Sequence, residues 1–137
     1  MITEKTNELA FAESDALAAE AVKVLLEKLA LNVQMFDVRE HTSITDFYVN
    51  ATGKSSTHVS SLADDVVESF ELRGRDAYRV EGRKGNSWIL VDFGSLIVNI
   101  FDSESRAFYN FDRLLPAESL RSIDNLIEEV DKKFNIH

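Results

Sequence analysis

Two β-prone apolar runs, Ser87 to Phe93 and Ser95 to Phe101, are separated only by Gly94. Runs rich in Val, Ile, Phe and Trp around one glycine read as a tight antiparallel hairpin. Val91, Phe93, Ile97 and Val98 are its core candidates, so the rest of the chain must cover at least one face. Several segments have the pattern to do so. Residues 14 to 31 repeat Ala18, Val22, Leu25 and Leu29 at helical spacing, widened by Ala21 and Leu26. Ser14 serves there as N-cap and Asp15 sits in the first turn. A second helix, capped by Ser55 or Ser56 and running to about Leu72 before a stop at Gly74, carries Val59, Leu62, Val66, Val67 and Phe70 on one face.

Val33 to Val38 alternates, with Val33, Met35 and Asp37 on one side and Gln34, Phe36 and Val38 on the other. Asp46 to Thr52 and Ala77 to Glu81 read as further strands, and Ser103 to Tyr109 as a short helix. From Ala117 to Phe134 the spacing predicts one more helix, with Leu120, Ile123, Ile127, Val130 and Phe134 along a seam. That seam either folds back on the domain or meets a partner. The expected order is α–β–β–α–β–β–β–α–α, an α/β chain of mixed α+β type with helices packed on one sheet. The expected domain spans 14 to 116, with a frayed arm over 1 to 13 and a helical extension over 117 to 137.

The chain has 137 residues, of which 45% are apolar. A single domain of this size buries roughly two-thirds of its unfolded surface. No cysteine is present, which excludes disulfides and thiolate metal sites. There is no uninterrupted apolar span of membrane length, and residues 1 to 13 carry neither a secretory nor a transit pattern. The expected location is therefore the cytoplasm, with no membrane contact. The net charge is -9, from 24 acidic and 15 basic residues. That argues against binding driven by phosphate backbone, where Lys and Arg must displace counterions. Arg73, Arg75, Arg79, Arg83 and Lys84 cluster locally, either as a charged sheet edge or as a contact to an acidic group.

The chemistry-bearing motifs are weak. Ala51 to Ser56 has the Gly-Lys-Ser of a phosphate loop, but Tyr48 stands where the first glycine is needed. Asp64, Asp65, Glu68 and Glu71 lie on one helix and read as a solvated acidic face. Asp92 sits at the hairpin, placed to pair with Arg83 or Lys84 or to cap the turn. His41, His58 and His137 show no i, i+4 pair for zinc, and no Gly-x-Ser-x-Gly elbow occurs. Catalysis has no positive support. The aromatics Trp88, Phe101, Phe108, Tyr109 and Phe111 gather in the last third. Phe101 and Phe108 are read as core, whereas Trp88 and Tyr109 are the type of residue that anchors an interface.

Several strings occur together and in order: Asp37-Val38-Arg39, Ser43 to Phe47, Ala51 to Val59, Leu62-Ala63-Asp64, Val80-Glu81-Gly82, Trp88 to Gly94, Ser105-Arg106, Tyr109 and Leu114. Over residues 14 to 116 the chain resembles the ribosomal silencing factor family, also called Iojap. The resemblance implies a nucleotidyltransferase-like fold, a mixed sheet of about five strands flanked by helices, here with an extra C-terminal helix. It implies no enzyme activity and no cofactor. It implies binding to the large ribosomal subunit through ribosomal protein L-fourteen, with little direct nucleic-acid contact. Small-subunit joining is thereby blocked and translation slowed under nutrient limitation. A large-subunit assembly role on the same surface is the alternative, and a nucleotidyltransferase-type enzyme a more distant one. A homodimer off the ribosome stays open.

By position, Trp88, Asp92 and Tyr109 match family motif residues and would form or support the partner surface. Asp102, Glu104 and Asp112 are added on charge grounds, facing a basic partner. Lys54, Thr57, Ser95, Asn99 and Leu115 depart from the common family residues, and Leu115 marks an edge where the contact would differ.

Overall fold

The computed structural model describes residues 4–134. Helix α1 spans Ser14–Glu27 and α2 spans Ser56–Leu72. Strands β1 (Leu31–Asp37), β2 (Phe47–Gly53), β3 (Arg79–Glu81), β4 (Trp88–Asp92), β5 (Leu96–Asp102) and β6 (Leu120–Arg121) form one sheet in the order β3-β4-β5-β2-β1-β6. Only β2 and β5 run parallel to each other, in register from Phe47↔Leu96 to Gly53↔Asp102. The other neighbours are antiparallel. Helices α3 (Ser103–Tyr109) and α4 (Asp124–Phe134) complete the body.

The period-two alternation of the strands sorts residues cleanly onto two faces. Val49, Ala51, Ile89, Val91, Leu96, Val98 and Ile100 point toward α1 and α2 and form the main core with Leu17, Val22, Leu25, Leu62, Val66 and Phe70. Full burial of a Leu, Ile or Phe side chain stabilises by roughly 1.5–3 kcal/mol before entropy is charged, so this layer dominates stability. The opposite face carries Phe36, Val38, Tyr48 and Ile97, sheltered by Leu90, Phe111 and Leu115. That second layer is thin, and the segment 103–121 crosses it.

The hairpin at Gly94 is confirmed. Phe93 N donates to Leu96 O at 2.8 Å, Gly94 has φ of 87°, and Asp92 Oδ1 accepts from Gly94 N at 2.7 Å. Gly82 is the more demanding glycine. Its φ is 93°, and a Cβ there would overlap the Trp88 carbonyl oxygen. Gly82→Ala is therefore expected to destabilise the fold by more than about 1 kcal/mol, measured by denaturant unfolding; an unchanged midpoint would contradict this geometry.

The sheet has six strands rather than about five, and the tail explains the difference. Residues 117–134 are not one helix. Ala117–Ser119 makes a single 3-10 turn, Leu120 and Arg121 pair with Phe36 and Met35, and the helix starts at Asp124. The open edge of β1 has backbone groups that need partners, and 120–121 supply them. The buried stripe of α4 is accordingly Leu126 and Val130, with Ile123 beside the core, whereas Leu120, Ile127 and Phe134 are exposed. Helix α4 lies on α1, fixed at its rim by Lys23–Glu129 (2.7 Å) and Lys133–Glu27 (3.0 Å).

The arm over 1 to 13 also needs correction from residue 6 onward. Thr6 N and Leu9 N donate to the carbonyls of Leu72 and Arg73, Arg75 donates to the carbonyls of Leu9 and Ala10, and Leu9 is buried. Ser14 is not the N-cap. Glu13 holds that position without a side-chain bond, and Ser14 is the first helical residue. Three arginines of the basic run at 73–84 pair within the chain: Arg73 with Glu20 (2.6 Å), Arg79 with Asp92 (3.1 Å) and Arg83 with Asp64 (2.8 Å).

Near β6, Arg39 grips Asp37 with two bonds of 3.0 and 2.7 Å. That guanidinium holds the Asp37 carboxyl below its ordinary value of 3.8, outweighing the upward push of burial. The folded value is depressed, so the stability this pair contributes is present above that ordinary value and fades as pH falls through the folded one. Asp37→Asn is expected to lower stability modestly at about pH 7 and by less at about pH 2, because the wild-type carboxyl gains protons as pH falls. Equal losses at both pH values would contradict the assignment.

Candidate docking site

The site is built where α3 crosses the thin face of the sheet. Asp102, the last residue of β5, caps α3 by accepting from Ser105 N at 2.7 Å. Asn110 ends the helix in the left-handed region, φ 51°, and its N–H returns to Arg106 O. This turn sends Phe111 back onto Tyr48, with ring centroids 5.2 Å apart. It leaves Phe108 and Tyr109 on the outside. The inward face of this seven-residue helix is taken by Arg106, its one buried residue.

Trp88 sits on the same face as Leu90 and Asp92. Its ring lies 4.9 Å from Phe101, 5.1 Å from Tyr109 and 5.9 Å from Phe111. Phe108 meets Tyr109 edge-on at 5.1 Å. The exposures decide the roles: Phe101 is 0% exposed, Tyr109 51%, Leu114 76% and Phe108 79%. Phe101 is core as expected. Phe108 is not, because α3 turns it away from the sheet. The result is a wet aromatic patch backed by a half-buried tryptophan.

A chain of hydrogen bonds runs beneath the patch. Trp88 Nε1 donates to Asn99 Oδ1 (2.9 Å), Asn99 Nδ2 to Asn50 Oδ1 (3.1 Å) and Asn50 Nδ2 to Asp112 Oδ1 (2.6 Å). Asp112 Oδ2 accepts from Arg106 Nε at 3.0 Å. Arg106 then donates to Asn32 O (2.6 Å), Thr52 Oγ1 (3.0 Å) and Gln34 Oε1 (2.9 Å). Asn50 and Asn99 are fully buried on the paired central strands. Beside them, burial and then the charge of Asp92 push the Tyr48 phenol above its ordinary range.

The structure brings Trp88 and Tyr109 into contact and places Glu104, exposed, in the first turn of α3. The other three carboxylates named from charge or motif have internal work. Asp92 clasps the Gly94 turn and pairs with Arg79 rather than with Arg83 or Lys84. Asp102 is a helix cap, and Asp112 is held by Asn50 and Arg106. Sequence reasoning missed Phe108, Leu114, Arg106, Asn50 and Asn99. The two asparagines carried a usable signal: an amide inside FYV-N-AT and another inside LIV-N-IF must find buried partners.

Elsewhere the motifs close on themselves. In the 51–56 loop, His58 Nδ1 accepts from Lys54 N at 2.9 Å, and His58 Nε2 donates to Lys28 O at 3.0 Å. A Cβ on Gly53 would come within 2.7 Å of Val59. Among the described residues no group of three or more His, Asp or Glu is placed to hold a metal ion, and no helix is long and apolar enough to cross a membrane. His137 lies outside the described residues.

Residues 11–136 match the family described as ribosomal silencing factor during starvation. The chain belongs to that family. The match runs through α4, so the segment beyond 116 falls inside the matched region. The ribosomal silencing factor of Haemophilus influenzae is 35% identical over 97 residues, covering 68% of this chain and 95% of that one. A mouse relative named mitochondrial assembly of ribosomal large subunit protein 1 is 28% identical, over 80% of this chain and 48% of its own length. Among solved structures, a Chromobacterium violaceum protein superposes with a TM-score of 0.74 at 26% identity, covering 76% of this chain and 87% of that one.

Proposed function

We propose that this protein binds the large ribosomal subunit through ribosomal protein L-fourteen and blocks joining of the small subunit, so that translation slows. The observation that carries this reading is half-exposed Tyr109 stacked on Trp88, with exposed Phe108 edge-on to Tyr109, on a ribosomal silencing factor fold. Aromatic anchors with half their surface free, rigidly backed, are what an interface hot spot requires. Glu104 at the rim and the net charge of -9 favour approach to a basic ribosomal protein over bare RNA. The reading involves no chemical step and no cofactor, and it places the protein in the cytoplasm. The paired central positions of the sheet are amides, hydrogen-bonded to each other, with no carboxylate pair to hold a divalent cation. A titration with Mg-ATP is accordingly expected to release no binding heat.

The testing experiment is subunit joining with purified ribosomal subunits, read on a sucrose gradient. Increasing protein should deplete the joined ribosome peak and raise the free-subunit peaks. Unchanged joining at saturating protein would sink the repressor reading. The name of the mouse relative favours a second reading, large-subunit assembly on the same surface. It predicts unchanged joining together with co-purification of immature large subunits.

A further inference from the structure

We infer that Arg106 is a positioning residue that sets the docking patch in its binding arrangement before any partner arrives. The inference rests on the reading of that patch as the partner surface. Helix α3 has seven residues, and Arg106 is its one buried residue. An isolated helix of this length does not form in water. Apolar burial does not hold it either, since Ala107, Phe108 and Tyr109 are all exposed.

A guanidinium takes the place of a hydrophobic stripe. Arg106 is 9% exposed and reaches Asp112 beyond the helix, Thr52 on β2, and both Gln34 and the Asn32 carbonyl on β1. The Asn32 carbonyl is aimed at it by the irregular register between Leu31 and Gln34, where Asn32 has φ of 51°. A planar fork with fixed donors permits one orientation, whereas an apolar side chain would tolerate rotation and sliding. The same network ends at Trp88 Nε1 through Asp112, Asn50 and Asn99. Arg106 therefore fixes α3, and with it Tyr109, against the tryptophan on the far side of the sheet face. A patch ordered in advance loses less freedom on binding.

Trp88 is the sole tryptophan of the chain, so its fluorescence reports on the patch directly. The experiment compares wild type, Arg106→Met and Arg106→Lys by circular dichroism, acrylamide quenching of Trp88, hydrogen exchange over 103–115 and co-sedimentation with large subunits. Arg106→Lys keeps the charge and the stem, and it serves if Arg106→Met does not fold. Both variants are expected to keep the main-core signal, expose Trp88 to quencher, lose protection over 103–115, and bind large subunits about tenfold more weakly. Unchanged quenching and exchange would overturn the inference without reference to the ribosome. Tyr109→Ala run in parallel separates the two claims. If Tyr109→Ala weakens binding and the Arg106 variants do not, positioning is overturned. If neither weakens binding, the reading of the surface itself has failed.

Discussion

Asp112→Ala is expected to cost about 3 kcal/mol of folding stability, the lower end of the range for removing one partner of a buried ion pair. Arg106 would keep its neutral acceptors on Asn32, Gln34 and Thr52 but lose the only carboxylate in the group. Asn50, fully buried, would lose the acceptor of its amide as well. The low end applies because the Asp112 side chain keeps 24% of its exposure. The check is the midpoint of denaturant unfolding at constant m-value. A loss confined to ribosome binding, with stability intact, would return Asp112 to the role of a free partner charge. By contrast Asp102→Ala, which removes a helix cap, should cost only about 1 kcal/mol.

Trp88→Ala is expected to act on both stability and binding. Its ring contacts Phe101, Tyr109 and Phe111, and its indole N–H is the end of the buried network. Truncation should lower stability by roughly 3 kcal/mol, as for other large-to-small changes of this type. It should also weaken large-subunit binding by at least ~2 kcal/mol, the hot-spot threshold. The two losses separate if affinity is measured where the variant is still folded. Trp88→Phe gives a graded control: the ring contacts stay, the donor to Asn99 goes, and a loss of about 1–2 kcal/mol is expected from the unsatisfied amide. Full binding by folded Trp88→Ala would remove the tryptophan from the account.

Local signals were strong wherever one face of an element was buried. The hairpin around Gly94, the faces of α1 and α2, and the alternation of β1 follow from periodicity because each meets the main core. In the tail, Leu120, Ile123, Ile127 and Val130 fit a helical seam as well as the observed turn, strand and helix. Only the open edge of β1, a tertiary fact, pulls 120–121 into strand. Phe108 shows the opposite case. Its apolar character argued for burial, while the shortness of α3 and the Asp102 cap dictate that it points outward. Asp102 and Asp112 read as partner charges because their partners are a backbone N–H group or lie on other elements, which carry no local residue-type signal, whereas Asp92 already read as a turn cap or ion-pair partner. Trp88 and Tyr109 were legible as chemistry, but what joins them, the Asn99–Asn50–Asp112–Arg106 chain, spans β5, β2 and the segment after α3.

Co-sedimentation of Tyr109→Ala with purified large subunits probes the docking surface itself. Tyr109 is half exposed and its hydroxyl has no partner among the described hydrogen bonds, so its loss costs little beyond the ring contacts with Trp88 and Phe108, roughly 1 kcal/mol, and leaves the variant folded. If the patch around Trp88 is the docking surface, binding should weaken by at least ~2 kcal/mol in a variant that stays folded. Wild-type affinity in the folded variant would place the contact with the large subunit elsewhere on the protein.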